Sequence, residues 1–214
     1  MNHLFLFLGL YFFTCTTVFA QDFEYRSGDL LFQDIDCGPL CDAIEKVTPS
    51  INGKHFSHIG LVYVAGDSLW VIEAIEKKVK ITPLSQFISR STTENGQPKI
   101  MVGRLSKAYQ YLNAKAIRYS LQQLGVPYDD AFLYGNGKYY CSELIYDAYK
   151  YANDNREFFS LYPMTFKDPE TNKTDKAWKA YYQKLKMKVP EGRLGCNPGS
   201  IGIHNAIEII KSFY

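Results

Sequence analysis

Two apolar stretches, Phe56 to Ala65 and Ser68 to Ile75, flank Gly66-Asp67, and no other feature of the chain constrains its fold as tightly. Both are rich in Ile, Val, Leu, Tyr and Trp, and Gly-Asp supplies a two-residue turn, so the pair reads as a β-hairpin. The turn sets the register. Ala65 pairs with Ser68, position 58 falls opposite 75, and position 73 becomes a diagonal neighbour of 58 on the same face. His58 and Glu73 are therefore expected to touch, whereas a slip of one residue would put them on opposite faces. A carboxylate inside Leu69-Trp70-Val71-Ile72-Glu73-Ala74-Ile75 is also costly to bury unless it is paired, which is an independent reason to give Glu73 a partner such as His58.

Strands precede helices along the rest of the chain. Ser27-Gly28-Asp29 launches a strand at Leu30-Leu31-Phe32-Gln33, a short helix covers Cys41 to Val47, and Val79 to Thr82 and Lys99 to Leu105 extend the sheet around a short helix started by Pro83. Ser106 is expected to cap a helix whose apolar positions Ala108, Leu112, Ala116, Ile117, Leu121 and Leu124 follow helical spacing up to Gly125. A further helix is expected from about Asp175 to Met187, then a loop-like stretch from Pro190 to Ser200 and an apolar segment from Ile201 to Ile210.

Between them Cys141 opens an amphipathic helix with Leu144, Ile145, Ala148, Tyr149 and Ala152 on the same stripe, so the thiol faces the interior. A thiol at a helix N-terminus sits at the positive end of the macrodipole, which favours the thiolate and makes it a candidate nucleophile. His58 is the base that the hairpin offers, with Glu73 orienting one imidazole nitrogen while the other points at the thiol. The Cys141 sulfur is expected on the same side of the sheet as His58 and Glu73.

Residues 1–20 read as a signal peptide. They carry no Asp, Glu, Lys or Arg, His3 to Val18 is almost wholly apolar, and Val18 and Ala20 precede Gln21 as a signal-peptidase site requires. The mature chain, Gln21 to Tyr214, is expected to form one domain in the periplasm or outside the cell. With 24 basic against 22 acidic residues and no basic stripe, nucleic acid is not indicated as a partner, and membrane contact is expected only through the N-terminal segment. The cysteines after residue 20 are Cys37, Cys41, Cys141 and Cys196, which allow two disulfides or a free Cys141 with at most one. His55 and His58 with Cys37 or Cys41 offer a zinc alternative, but an HxxH running into a strand does not aim both rings at one ion, so no metal is assigned. No organic cofactor is expected.

In several ordered blocks the chain resembles the circularly permuted papain-like hydrolases of the YiiX type, relatives of NlpC-type cell-wall peptidases. The blocks are Gly28-Asp29-Leu30-Leu31-Phe32-Gln33, Ser57-His58-Ile59-Gly60, Val71-Ile72-Glu73-Ala74, Gly125-Val126-Pro127-Tyr128-Asp129, Tyr140-Cys141-Ser142-Glu143-Leu144 and the closing Pro190-Glu191-Gly192 through Asn197-Pro198-Gly199. The order His, Glu, Cys is the specific part, because unpermuted papain-like enzymes place the cysteine first.

The resemblance implies an α+β fold of permuted papain-like type, a mostly antiparallel sheet packed against helices. It gives Cys141 the role of nucleophile, His58 that of general base and then acid, and Glu73 that of orienting residue. The Cys141 backbone N–H, with a side-chain donor from Tyr128 or Gln33, would form the oxyanion hole, and Tyr140 would join the substrate-binding wall. The implied function is an exported cysteine amidase or peptidase acting on a small acyl-amide or cell-wall peptide. A thiol acyltransferase or lipid esterase resembling the lecithin:retinol acyltransferase group is the rival in chemistry, with the aromatic run from Arg156 to Met164 as its acyl groove, although that run reads better as an ordinary core-covering loop. A non-catalytic binding module is the third alternative.

Overall fold

The computed structural model describes residues 23 to 213, so the expected leader and the start at Gln21 lie outside the described residues. In chain order the strands are β1 (Leu30–Gln33), β2 (His58–Ala65), β3 (Ser68–Ile75), β4 (Lys78–Pro83), β5 (Ile100–Leu105), β6 (Tyr162–Pro163), β7 (Leu194–Gly195) and β8 (Ile207–Ser212). The helices are α1 (Pro39–Val47), α2 (Leu84–Ser89), α3 (Asn113–Gln122), α4 (Cys141–Ala152), α5 (Lys176–Lys184) and α6 (Pro198–Gly202).

Six strands make one sheet in the order β4-β3-β2-β1-β5-β8, with every neighbouring pair antiparallel. The hairpin forms as its turn demands. Gly66 takes a positive φ of 57°, Ala65 pairs with Ser68, and the register continues to Leu61 opposite Ile72. The C-terminal apolar segment splits into α6 and β8, and β8 completes the sheet beside β5.

Strand alternation sorts the side chains into two layers. Leu30, Phe32, Ile59, Leu61, Ile72 and Ala74 pack with Cys141, Leu144, Ile145 and Ala148 of α4. On the other face Leu31, Val62, Val71, Ile100 and Val102 pack with Leu84 and Phe87 of α2. Each fully buried aliphatic or aromatic side chain of these layers contributes roughly 1.5–3 kcal/mol. A third cluster of Ala43, Met164, Phe166, Trp178 and Tyr182 joins α1 to α5 and to the segment around β6.

Gly60 is required where α2 crosses β2. A Cβ there would clash with the Val71 side chain and lie 3.0 Å from Phe87, so a bare backbone is needed where Val71 and Phe87 close on the strand that carries His58.

The helix expected from Ser106 begins later. Residues 106–112 are turns and a short 3-10 segment, and α3 starts only at Asn113. Ser106 N–H donates to Ala206 O, beside β8, and the Gln110 side chain donates to Leu105 O, so this stretch is tied to the sheet edge instead of winding. Helix α5 does begin at an Asp175 cap, which accepts from Ala177 N–H, but it stops at Lys184, two residues before Lys186 turns to a φ of 56°.

Candidate active site

Cys141 is the first residue of α4, behind an extended Tyr140 with φ −89° and ψ 169°. The helix supplies no partner for its first N–H groups, so the thiol sits beside unspent donors. Cys141 is a free cysteine and only 5% exposed. The structure settles the cysteine alternatives: Cys37 and Cys41 are bonded to each other, and Cys196 is free.

His58 Nε2 lies 2.6 Å from Glu73 Oε2. The ring also interacts with the Cys141 side chain, and with Nε2 spent on Glu73 that interaction falls to Nδ1. Glu73 is 0% exposed and accepts from three more donors: Thr82 Oγ1 at 2.6 Å, and Arg90 Nη1 and Nη2 at 2.9 and 2.7 Å. A carboxylate buried without such partners would cost several kcal/mol. Burial pushes Glu73 up, but His58 and Arg90 outweigh it and hold the carboxyl well below the usual range, so it is an ionised acceptor and His58 Nε2–H donates. Burial likewise pushes the His58 imidazole down, and the Cys141 and Glu73 hydrogen bonds and charges overcome it, raising the ring to about 9.

One expectation needs correction. His58 and Glu73 share a face, as the register requires, but it is the α2 face, where the His58 ring packs 5.8 Å from Phe87. Cys141 belongs to the α4 layer on the opposite face. The two sides meet because His58 is the first residue of β2, so its ring reaches the thiol at the end of the strand.

Beside Cys141 lies a cleft of about 530 Å³, its solvent-open part included. Ile44, Val47, Phe132, Met164, Phe166 and Trp178 line it, and no Asp, Glu, Lys, Arg or His does so among the described residues. Tyr128 also lines the cleft, and burial, with the nearby Cys141 charge adding to it, keeps its phenol protonated far above the usual range and hence a donor. Tyr140 gives the cleft its ring, while its hydroxyl is spent on Cys196: it accepts from Cys196 N–H at 3.2 Å. Gln33 does not reach the cleft. It faces His58 across β1 and β2, its amide donates to Phe87 O at 2.7 Å, and its Oε1 accepts from Arg90 Nη1 at 3.4 Å, so it steadies the Arg90 side of the site. The aromatic run after Arg156 supplies only its end, Tyr162 and Met164, to the cleft.

The zinc alternative has no ligand set. Its cysteines are joined in a disulfide, His55 Nδ1 is bonded to Thr48 O at 2.9 Å, and no group of three His, Cys, Asp or Glu is placed to hold an ion among the described residues.

Residues 24–210 match the family described as permuted papain-like amidase enzymes, YaeF/YiiX, C92 family. The chain belongs to that family. YiiX of Escherichia coli strain K12 is 32% identical to this chain over 134 residues, 62% of this chain and 61% of YiiX, so the match spans about three fifths of that relative. The crystal structure of the metalloprotein YiiX from Escherichia coli O157:H7 superposes on this chain with a TM-score of 0.69 at 23% identity, covering 87% of this chain and 97% of that one. That likeness establishes the mixed α+β fold.

Two residues of the candidate site carry no direct signal in the sequence, Arg90 and Thr82. Thr82 was discoverable, since it follows from extending the hairpin register: it pairs with Val71, two residues from Glu73. Arg90 had only an indirect signal, the need of a buried carboxylate for a full countercharge that a titrating histidine does not supply.

Proposed function

We propose that this chain is an exported cysteine amidase that hydrolyses a neutral acyl-amide through a thioacyl-enzyme on Cys141. The observation that carries the reading is the alignment of Cys141 with His58 and of His58 with the ionised, Arg90-braced Glu73 in a member of an amidase family.

The thiol proton passes to His58 Nδ1 before attack, which agrees with an imidazole raised to about 9, and the sulfur attacks the carbonyl carbon as a thiolate. The tetrahedral oxyanion is held by Cys141 N–H and the Tyr128 hydroxyl. The intermediate collapses as the imidazolium returns the proton to the leaving amine, giving free amine and a thioester. Water then attacks the thioester while His58 removes its proton, and collapse releases the carboxylic acid and restores the thiol. Every step uses only chain residues, the substrate and water.

The cleft favours a neutral acyl group. A cell-wall stem peptide brings carboxylates, and these would find no countercharge on the lining residues while losing water. The same uncharged wall supports a second reading, in which the thioester passes its acyl group to an acceptor other than water. A binding module without chemistry would carry the cost of burying Glu73, Arg90 and His58 for nothing.

Turnover of neutral acyl-amides, stem peptides and phospholipid esters, measured side by side, tests the substrate class. Neutral acyl-amides should be cleaved fastest. Turnover of stem peptides alone would overturn the neutral-substrate reading, and turnover of esters but never amides would replace the amidase by the acyltransferase or esterase.

A further inference from the structure

The outer face of α5 has no part in this chemistry. From Lys176 to Leu194 the chain carries Lys176, Lys179, Lys184, Lys186, Lys188 and Arg193, all exposed, against the single acid Glu191. The overall balance of 24 basic to 22 acidic residues conceals this concentration. None of the six cations is in a salt bridge with a carboxylate among the described residues, and Glu191 is itself engaged by Thr165 Oγ1 and Phe166 N–H. Helical spacing puts Lys176 and Lys184 on the arc opposite Trp178 and Tyr182, which are buried, with Lys179 on its flank. Two large apolar side chains are exposed within the same stretch, Met187 at 41% and Leu194 at 54%.

We propose that this face docks the protein on an anionic phospholipid surface. Charge complementarity selects an anionic partner. The exposed Met187 and Leu194 among the cations select a lipid interface over a soluble polyanion, because only the interface has an apolar layer to receive them. Docking would also bring the membrane to within about a helix diameter, roughly 10 Å, of the cleft, since the inner face of α5 contributes Trp178 to its wall. This contact is separate from the N-terminal apolar segment and does not depend on the reaction proposed for Cys141.

The test is partition of the full chain onto vesicles of phosphatidylcholine alone or of equal parts phosphatidylcholine and phosphatidylglycerol. Residues 1–20 are the same in the native chain and in each variant, so their contribution cancels when the preferences are compared. The native chain should prefer anionic vesicles at least tenfold. Replacing Lys176, Lys179 and Lys184 together by Gln should lower that preference roughly a hundredfold or abolish it, at about fivefold per cation. Met187→Ser should weaken binding to anionic vesicles severalfold and leave heparin binding unchanged. Equal binding to both vesicle types, or an undiminished preference in the triple variant, would overturn the proposal. Heparin binding that the triple variant loses, with no effect of Met187→Ser on vesicles, would assign the face to a soluble polyanion instead.

Discussion

His58 donates from Nε2 to Glu73 Oε2 across 2.6 Å, and this bond decides which imidazole nitrogen faces Cys141. The carboxylate is held on its other side by Arg90 and Thr82, so the ring is fixed by a buried anion that cannot turn away.

Cys141→Ala and His58→Ala should each abolish amide hydrolysis and leave the fold intact. Glu73→Gln should keep a residual rate on the order of a hundredfold to ten-thousandfold below the native one, because an amide can still orient the ring without holding its charge. Steady-state rates with thermal melts of the three variants check this, and a Glu73→Gln protein as inactive as His58→Ala would argue that the carboxylate does more than orient.

Arg90→Gln should destabilise the protein by about 3 kcal/mol, the low end for breaking a buried ion pair, because the guanidinium is partly exposed. It should also move the alkaline limb of kcat/KM upward, since an uncompensated Glu73 holds the imidazolium proton more tightly. Arg90→Lys keeps the charge and should keep the limb in place. A lowered melting temperature with an unmoved limb in Arg90→Gln would leave Arg90 a purely structural brace.

The pH dependence follows from His58. Its folded value, about 9, lies above the ordinary 6.5, so its contribution to stability is complete below about 6.5 and is lost as pH rises through about 9. The imidazolium that protonates the leaving amine disappears over the same range. Amidase activity should therefore fall tenfold per pH unit above about 9, and His58→Ala should lose less stability between pH 7 and pH 10 than the native protein does. Denaturant midpoints across that range check the second point.

Much of this site was legible in the sequence, because local rules set it. Gly66-Asp67 fixes the hairpin and hence the contact of His58 with Glu73, and the apolar stripe behind Cys141 fixes where α4 starts and what it faces. What was not legible depends on distant parts of the chain. The face of the sheet that His58 occupies follows from α2 packing over Gly60, and Arg90 reaches Glu73 only because that six-residue helix lies where Gly60 and Phe87 allow it. Gln33 looked like a free donor until β1 paired with β2 and set it opposite His58. Ser106 has the chemistry of a cap, yet its N–H is held by Ala206, a residue 100 positions away, just before a strand that the sequence alone did not place.

The two free thiols should separate by reactivity. Burial pushes the Cys196 thiol far above its ordinary value, whereas Cys141 stands at a helix N-terminus and interacts with the His58 ring. Iodoacetamide at pH 6, without reductant, should alkylate Cys141 and spare Cys196, as peptide mapping would show, and His58→Ala should slow that labelling.

The thioacyl-enzyme itself is the most direct test of the account. Native protein mixed with a neutral acyl-anilide, quenched in acid during turnover and analysed by mass spectrometry should gain the mass of one acyl group on the peptide containing Cys141, and Cys141→Ala should gain none. Turnover with no adduct, an adduct on another residue, or full activity in Cys141→Ala would contradict it.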